Sequence, residues 1–215
     1  PTARVAPAAA EAIAVRTPAD GVLLVDKPAG ITSTRALAIA KRSLNATKAG
    51  HTGTLDPFAT GLLPLVFGEA TKFSRFLLDA DKCYDATLHL GVTTTTGDTE
   101  GGVLEQRPVT TSITEIEAVS QEFSGVSTQI PPMHSALRVD GRRLYDLARQ
   151  GVEVARQGRE IRVDDLRVVE FSGEMLRISV KCSKGTYIRV LAEDIGRRLG
   201  CGAHLIGLRR TRIGR

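Results

Sequence analysis

Gly50-His51-Thr52-Gly53-Thr54-Leu55-Asp56-Pro57 sets one carboxylate inside a turn punctuated by glycine. Gly50, Gly53 and Gly61 can take backbone angles closed to other residues, and Pro57 biases Asp56 away from the helical region toward an extended conformation. A loop built this way presents its carboxylate, which suggests covalent chemistry by Asp56. Taken alone, the same stretch also reads as a structural Asp-Pro turn. What separates the two readings lies in the rest of the chain.

Upstream of the loop, Val22 to Val25 reads as a short apolar strand closed by Asp26-Lys27-Pro28-Ala29-Gly30, after which Ser33 is placed to cap a helix running to about Leu44. Residues 1–20 hold alanines and prolines without a steady apolar period and read as a flexible leader, with room for a short helix around Ala8 to Val15. Downstream, Ala86 to Leu90 reads as a strand, and Gly91 to Asp98 as a polar, threonine-rich loop. Thr114 and Glu117 have capping-box spacing, with Ile116, Val119 and Phe123 on one helical face. Pro131-Pro132 introduces a basic stretch with Arg138, Arg142, Arg143 and Arg149, which reads as a mobile arm. Leu176, Ile178 and Val180 alternate with polar residues as in a strand with one wet face. Ile188, Leu191, Ile195 and Leu199 recur at helical spacing before Gly200. Strands and helices are mixed without regular alternation, which predicts an α+β fold with a mixed, largely antiparallel sheet.

The 215 residues are enough for one sizeable core or two small lobes, and a formal net charge of +5 points to a polyanionic partner. No apolar run approaches the roughly 20 residues of a membrane span, and the start lacks the order of a signal peptide, so a cytoplasmic protein is expected. Cys83, Cys182 and Cys201 form no C-x-x-C pair and read as reduced apolar residues.

Four separated motifs then converge. Asp26-Lys27-Pro28-Ala29-Gly30, the Gly50–Pro57 loop with Ala59-Thr60-Gly61, Gly68-Glu69-Ala70-Thr71-Lys72, and Lys184-Gly185-Thr186-Tyr187-Ile188-Arg189 occur in the order found in bacterial tRNA pseudouridine-55 synthases, the TruB family, with Cys201-Gly202-Ala203-His204-Leu205 similar as well. The resemblance runs from about Gly21 to Arg210. It implies a pseudouridine synthase fold with helices flanking the sheet and a central RNA-binding cleft. It also implies isomerisation of one uridine in the T-loop of tRNA, without metal or organic cofactor.

By this resemblance Asp56 is the nucleophile, attacking either C6 of the base or C1′ of the sugar. Arg189 pairs with it bidentately and keeps it ionised. Tyr84 stacks on the target base, Tyr187 lies at its edge near the C5 proton, and Leu208 closes the pocket. His51 fills the space that the uridine vacates or contacts a neighbouring nucleotide. Lys27, Lys72 and Arg149, with the other arginines of a 129–154 RNA-gripping insertion, contact phosphates of the T-arm and elbow. Residues 21–215 are expected to form the catalytic domain, a monomer needing no guide RNA. The family's usual C-terminal PUA domain is not in this sequence. Three rivals are a tRNA-folding chaperone with incidental catalysis, a guide-dependent relative, and a phosphate-binding loop; the last lacks the Gly-Lys-Ser/Thr ending.

Overall fold

The computed structural model describes residues 19–139 and 141–214. The expected leader therefore lies, apart from Ala19 and Asp20, outside the described residues.

Strand β1 (Gly21–Lys27) is longer than the apolar run that announced it, because it pairs along its length with a central strand. It leads through Pro28-Ala29-Gly30 into helix α1 (Ser33–Ser43). Thr32, not Ser33, caps this helix: its hydroxyl accepts the Arg35 N–H at 3.1 Å, which frees Ser33 to turn inward. Strand β2 (Ala49–His51) enters the glycine-hinged loop and β3 (Thr60–Phe67) leaves it. β3 is apolar almost throughout since it lies between neighbours and is buried on both faces from Leu63 to Phe67.

A 3₁₀ turn (Gly68–Phe73) and helix α2 (Ser74–Asp79) precede β4 (Lys82–Leu90), whose alternation buries Tyr84, Ala86, Leu88 and Leu90. The predicted threonine-rich loop is in part a ribbon, β5 (Val92–Thr94) paired with β6 (Val103–Gln106). Helix α3 (Ile113–Glu122) begins two residues before the spacing suggested: Ser112 accepts from the Glu115 N–H at 3.3 Å, and Ile116 and Val119 face the core as expected. After β7 (Gly125–Gln129), the basic stretch folds into a two-residue-strand hairpin, β8 (Arg138–Val139) and β9 (Arg142–Arg143), followed by helix α4 (Leu144–Arg149). It is more than a loose arm, because Leu144 and Leu147 are buried beneath it. Strand β10 (Arg159–Ser172), β11 (Met175–Cys182), helix α5 (Ile188–Arg198) and β12 (Ala203–Ile213) complete the chain.

Eight strands form one sheet in the order β1-β3-β12-β4-β11-β10-β7, with β2 also on β3. Its ladders are antiparallel except where β12 meets β3 in parallel, over Arg209↔Thr60 and Arg210↔Gly61. Helices α3 and α5 cover part of one face, so Ile116, Leu191 and Ile195 join Leu88, Leu176, Ile178 and Leu205 in the core. Each such side chain gives about 1.5–3 kcal/mol on burial. The α+β, mostly antiparallel expectation holds.

Candidate active site

The loop between β2 and β3 is clamped from four sides. Thr52 N–H donates to Pro64 O at 3.0 Å. Ser33 Oγ, from the start of α1, accepts the Leu55 N–H at 2.9 Å and donates to Leu55 O at 3.0 Å. Lys27 Nζ donates to the carbonyls of Pro28, Ile31 and Pro57 at 2.9, 2.7 and 3.2 Å. Arg210 Nη2 donates to Gly53 O at 3.0 Å, and its Nε to Leu62 O at 2.8 Å. Gly53 and Gly61 take left-handed angles, φ +86° and +100°, and a Cβ on Gly61 would lie 2.3 Å from the Arg210 carbonyl. Gly50 takes no such angle and has ordinary room for a Cβ, so its glycine is not demanded by the turn.

Against this clamp comes the first turn of α5. Tyr187 precedes the helix with its backbone held by Gln129, which accepts the Tyr187 N–H at 2.8 Å and donates to its carbonyl at 3.1 Å. Arg189 then points inward. Its Nε lies 3.0 Å from Asp56 Oδ2 and 3.4 Å from Asp98 Oδ2. Its terminal nitrogens donate to Thr96 O at 3.0 Å and His134 O at 2.6 Å. The expected bidentate grip on Asp56 is therefore a single Nε contact, because two backbone carbonyls claim the guanidinium's ends. Asp98 was not legible as a site residue. It is held by the Thr96 hydroxyl and the Glu100 N–H, and sits in the stretch taken for plain loop.

Burial separates the two carboxylates. The Asp56 side chain is 33% exposed and Asp98 only 3%, so Asp56 is the one a substrate can reach. Its surroundings raise the Asp56 carboxyl above the ordinary 3.8. Loss of water contributes most, the Arg189 guanidinium opposes it, and the Asp98 charge adds to the rise. Arg189 thus moderates the desolvation of Asp56 without cancelling it. Burial likewise raises the phenols of Tyr84 and Tyr187.

Asp56, Tyr84, Tyr187, Arg189 and Leu208 line one cavity of about 380 Å³, which Lys82, Ser135 and Arg210 also border. The structure thus brings together five of the nine expected site residues. The other four stand apart. Lys27 is fully buried and faces the carbonyls just described, so it has no surface for a phosphate: in this fold it braces the Asp56 loop. His51 lies half-buried in β2, its Nδ1 without a hydrogen-bond partner among the described residues, and burial lowers its imidazole pKa. Lys72 is exposed and ion-paired to Glu69. Arg149 is exposed at the end of α4, with its guanidinium 5.9 Å from the Tyr145 ring centre. It edges a crevice of about 640 Å³ with Arg138 and Arg142. Arg210, Lys82 and Gln129 carried no signal beyond their residue type; each binds backbone that only the folded chain brings near.

The fold is that of the pseudouridine synthases. It matches a chain in the crystal structure of a Cbf5-Nop10-Gar1 complex with a TM-score of 0.71 and 36% identity, over 90% of this chain and 49% of that one. It also matches a chain in the structure of an H/ACA RNP bound to a substrate RNA containing 2′-deoxyuridine, with a TM-score of 0.67 and 34% identity over 90% and 47%. Residues 41–188 match the model of the TruB family pseudouridylate synthase N-terminal domain, and the chain belongs to that family. It is 58% identical over 200 residues to tRNA pseudouridine synthase B of Ectopseudomonas mendocina (strain ymp), covering 93% of this chain and 65% of the relative. Against tRNA pseudouridine synthase B of Azoarcus sp. (strain BH72) it is 58% identical over 195 residues, covering 91% and 65%. The chain spans about 65% of the length of these curated relatives.

Proposed function

We propose that this chain isomerises uridine to pseudouridine in the T-loop of tRNA, at position 55, through a covalent intermediate on Asp56. The observation that carries the reading is one reachable carboxylate, Asp56, set 3.0 Å from the buried Arg189 in a cavity walled by Tyr84, Tyr187 and Leu208. An aromatic and aliphatic slot beside a nucleophile suits a flipped base. Extruding a loop nucleotide costs a few kcal/mol, and stacking on an aromatic returns about 1–3 kcal/mol per base, so a loop uridine is accessible where a paired run is not.

In the reaction the N1–C1′ bond breaks and a C5–C1′ bond forms. The proton lost from C5 is balanced by one gained at N1, so the product is an isomer and no cofactor is consumed. Attack by Asp56 at C6 or at C1′ begins from the same ionised carboxylate, which Arg189 orients through Nε. Tyr187, its phenol pKa raised, acts as a protonated phenol at the ring edge and not as a phenolate base.

Phosphates of the T-arm and elbow are gripped by Arg149 and the other exposed arginines of the 129–154 segment and by Lys72, with His51 beside a neighbouring nucleotide. No guide RNA takes part in this reading. Relatives 58% identical are named tRNA pseudouridine synthases, whereas the Cbf5 neighbour is 36% identical. The protein acts as a monomer in the cytoplasm; no described helix is long and apolar enough to cross a membrane. The test is to incubate the protein with unmodified tRNA transcript, without guide RNA, and map pseudouridine by chemical sequencing. Absence of the product at position 55 would sink the reading, and activity only on addition of a guide would convert it to the guide-dependent class.

A further inference from the structure

Ser135 lies at the foot of the basic segment and lines two spaces at once. One is the 380 Å³ Asp56 cavity; the other, of about 240 Å³, opens on the far side of Asp56 against the start of α1. The residue is 5% exposed, and its Oγ has no hydrogen-bond partner among the described residues. The Tyr187 phenol is near enough to feel this hydroxyl, yet no hydrogen bond of acceptable geometry joins them. Buried hydroxyls are seldom left unpaired, and where one lines a substrate cavity a substrate group is the natural partner.

Apart from the two phenols, several neighbouring polar groups are already engaged. Lys82 Nζ donates to the carbonyls of Leu77, Leu78 and Ala80, and Arg210 and Arg189 hold the carbonyls described above. The Thr186 hydroxyl donates to Ser183 O at 3.0 Å. A base slotted between Tyr84, Tyr187 and Leu208 finds apolar contact for its faces, but its polar edge still needs hydrogen bonds. Ser135 is positioned to supply one. Its N–H is tied to Met133 O at 2.9 Å and its carbonyl to the Tyr145 N–H at 3.1 Å. With the backbone pinned, rotation about χ1 among staggered positions swings the hydroxyl toward the cavity without moving the chain.

We propose that Ser135 is a substrate-binding residue whose hydroxyl hydrogen-bonds the polar edge of the flipped uracil, at N3–H or an adjacent carbonyl. This rests on the reading that the cavity takes a uridine. A hydroxyl both donates and accepts, so it pairs with either kind of group on that edge.

The test uses the whole chain, as wild type and as Ser135→Ala, with T-arm stem-loop RNA carrying uridine, 4-thiouridine or N3-methyluridine at the target. Single-turnover rate and half-saturating RNA concentration are measured for each. With uridine RNA, Ser135→Ala should raise the half-saturating concentration about 2- to 12-fold while the saturated rate changes less, as expected for loss of a neutral hydrogen bond made in ground and transition states alike. The loss should shrink with at least one edge-modified RNA, and Ser135→Thr, which keeps a hydroxyl, should recover part of it. The thermal midpoint of Ser135→Ala should be unchanged or higher, since an unpaired buried hydroxyl has been removed. An unaltered concentration dependence, or an equal loss on all three RNAs, overturns the inference while leaving uridine isomerisation intact. If the wild type converts no uridine RNA, the functional reading itself falls, and this inference with it.

Discussion

Arg189 and Arg210 are 4% and 1% exposed, whereas Arg142 and Arg149, just past the cavity wall, stand in solvent. The buried pair, with Lys27 and Lys82, is held by backbone carbonyls of the loops around the cavity, so these cations act as internal braces, and Arg189 also touches the Asp56 carboxylate. The exposed pair has weak local partners, the Gln150 amide for Arg142 and the Tyr145 ring for Arg149, and leaves charge for a phosphate. One chemical type thus does two jobs. A desolvated cation shapes geometry and barely feels salt, while a solvated one supplies affinity that salt screens.

The sharpest break in this division is Asp56→Asn, which should lower pseudouridine formation on the order of 10⁴-fold or more while RNA binding persists. Appreciable turnover would remove Asp56 from its role. Arg189→Lys keeps the charge but loses the fork that joins Asp56, Thr96 and His134, and the single-turnover rate should fall roughly 10²- to 10³-fold with binding little changed. An unchanged rate would mean that the guanidinium geometry is irrelevant.

Acid should inhibit through Asp56. Its carboxyl is raised, and attack needs the ionised form, so activity should be lost as pH falls through a value above 3.8. The Asp98 charge contributes to that rise, so Asp98→Asn should move the acid limb to lower pH, even if the rate drops because Arg189 has lost a partner. A limb moving upward would reverse the assigned sign.

Smaller effects separate the two cation sets directly. Lys27→Met should cost about 1–3 kcal/mol in unfolding free energy, through three carbonyls left without their donor, and leave the salt slope of RNA binding as it was. Replacing Arg142 and Arg149 by alanine should do the opposite: the slope of log K against log salt should flatten by roughly 0.7 to 0.9 per lost contact, with saturated turnover preserved. A stability loss from the exposed pair, or a salt effect from Lys27, would dissolve the distinction.

Much of this was legible in residue order. The α5 helix announced itself through Ile188, Leu191 and Ile195, β11 through its alternation, and the Asp56 loop through glycine and proline chemistry. Motif resemblance picked out Tyr84, Tyr187, Arg189 and Leu208, and the fold gathers them around Asp56. What escaped was whatever depends on partners distant in sequence. Lys27 looked like a free cation because nothing nearby tells that three carbonyls converge on it. Asp98 looked like loop because its value lies in sharing Arg189 with Asp56. Ser33 was taken for a cap when Thr32 serves, since adjacent hydroxyls are equivalent until one finds Leu55. The strand β10 was missed where charge interrupts its alternation.

Strand β12 meets β3 through only two parallel residue pairs, Arg209↔Thr60 and Arg210↔Gly61, reinforced by the Arg209 fork on Asp26 at 3.0 and 2.7 Å. Asp56 hangs from one side of this seam, and Tyr84, Tyr187 and Arg189 from the other. A slight parting there separates the Asp56 carboxylate from Arg189 while each half keeps its own ladders. Under rising denaturant, the turnover proposed for Asp56 should therefore fade before the circular dichroism of the strands and helices does, making lost activity the earliest report of damage at this joint.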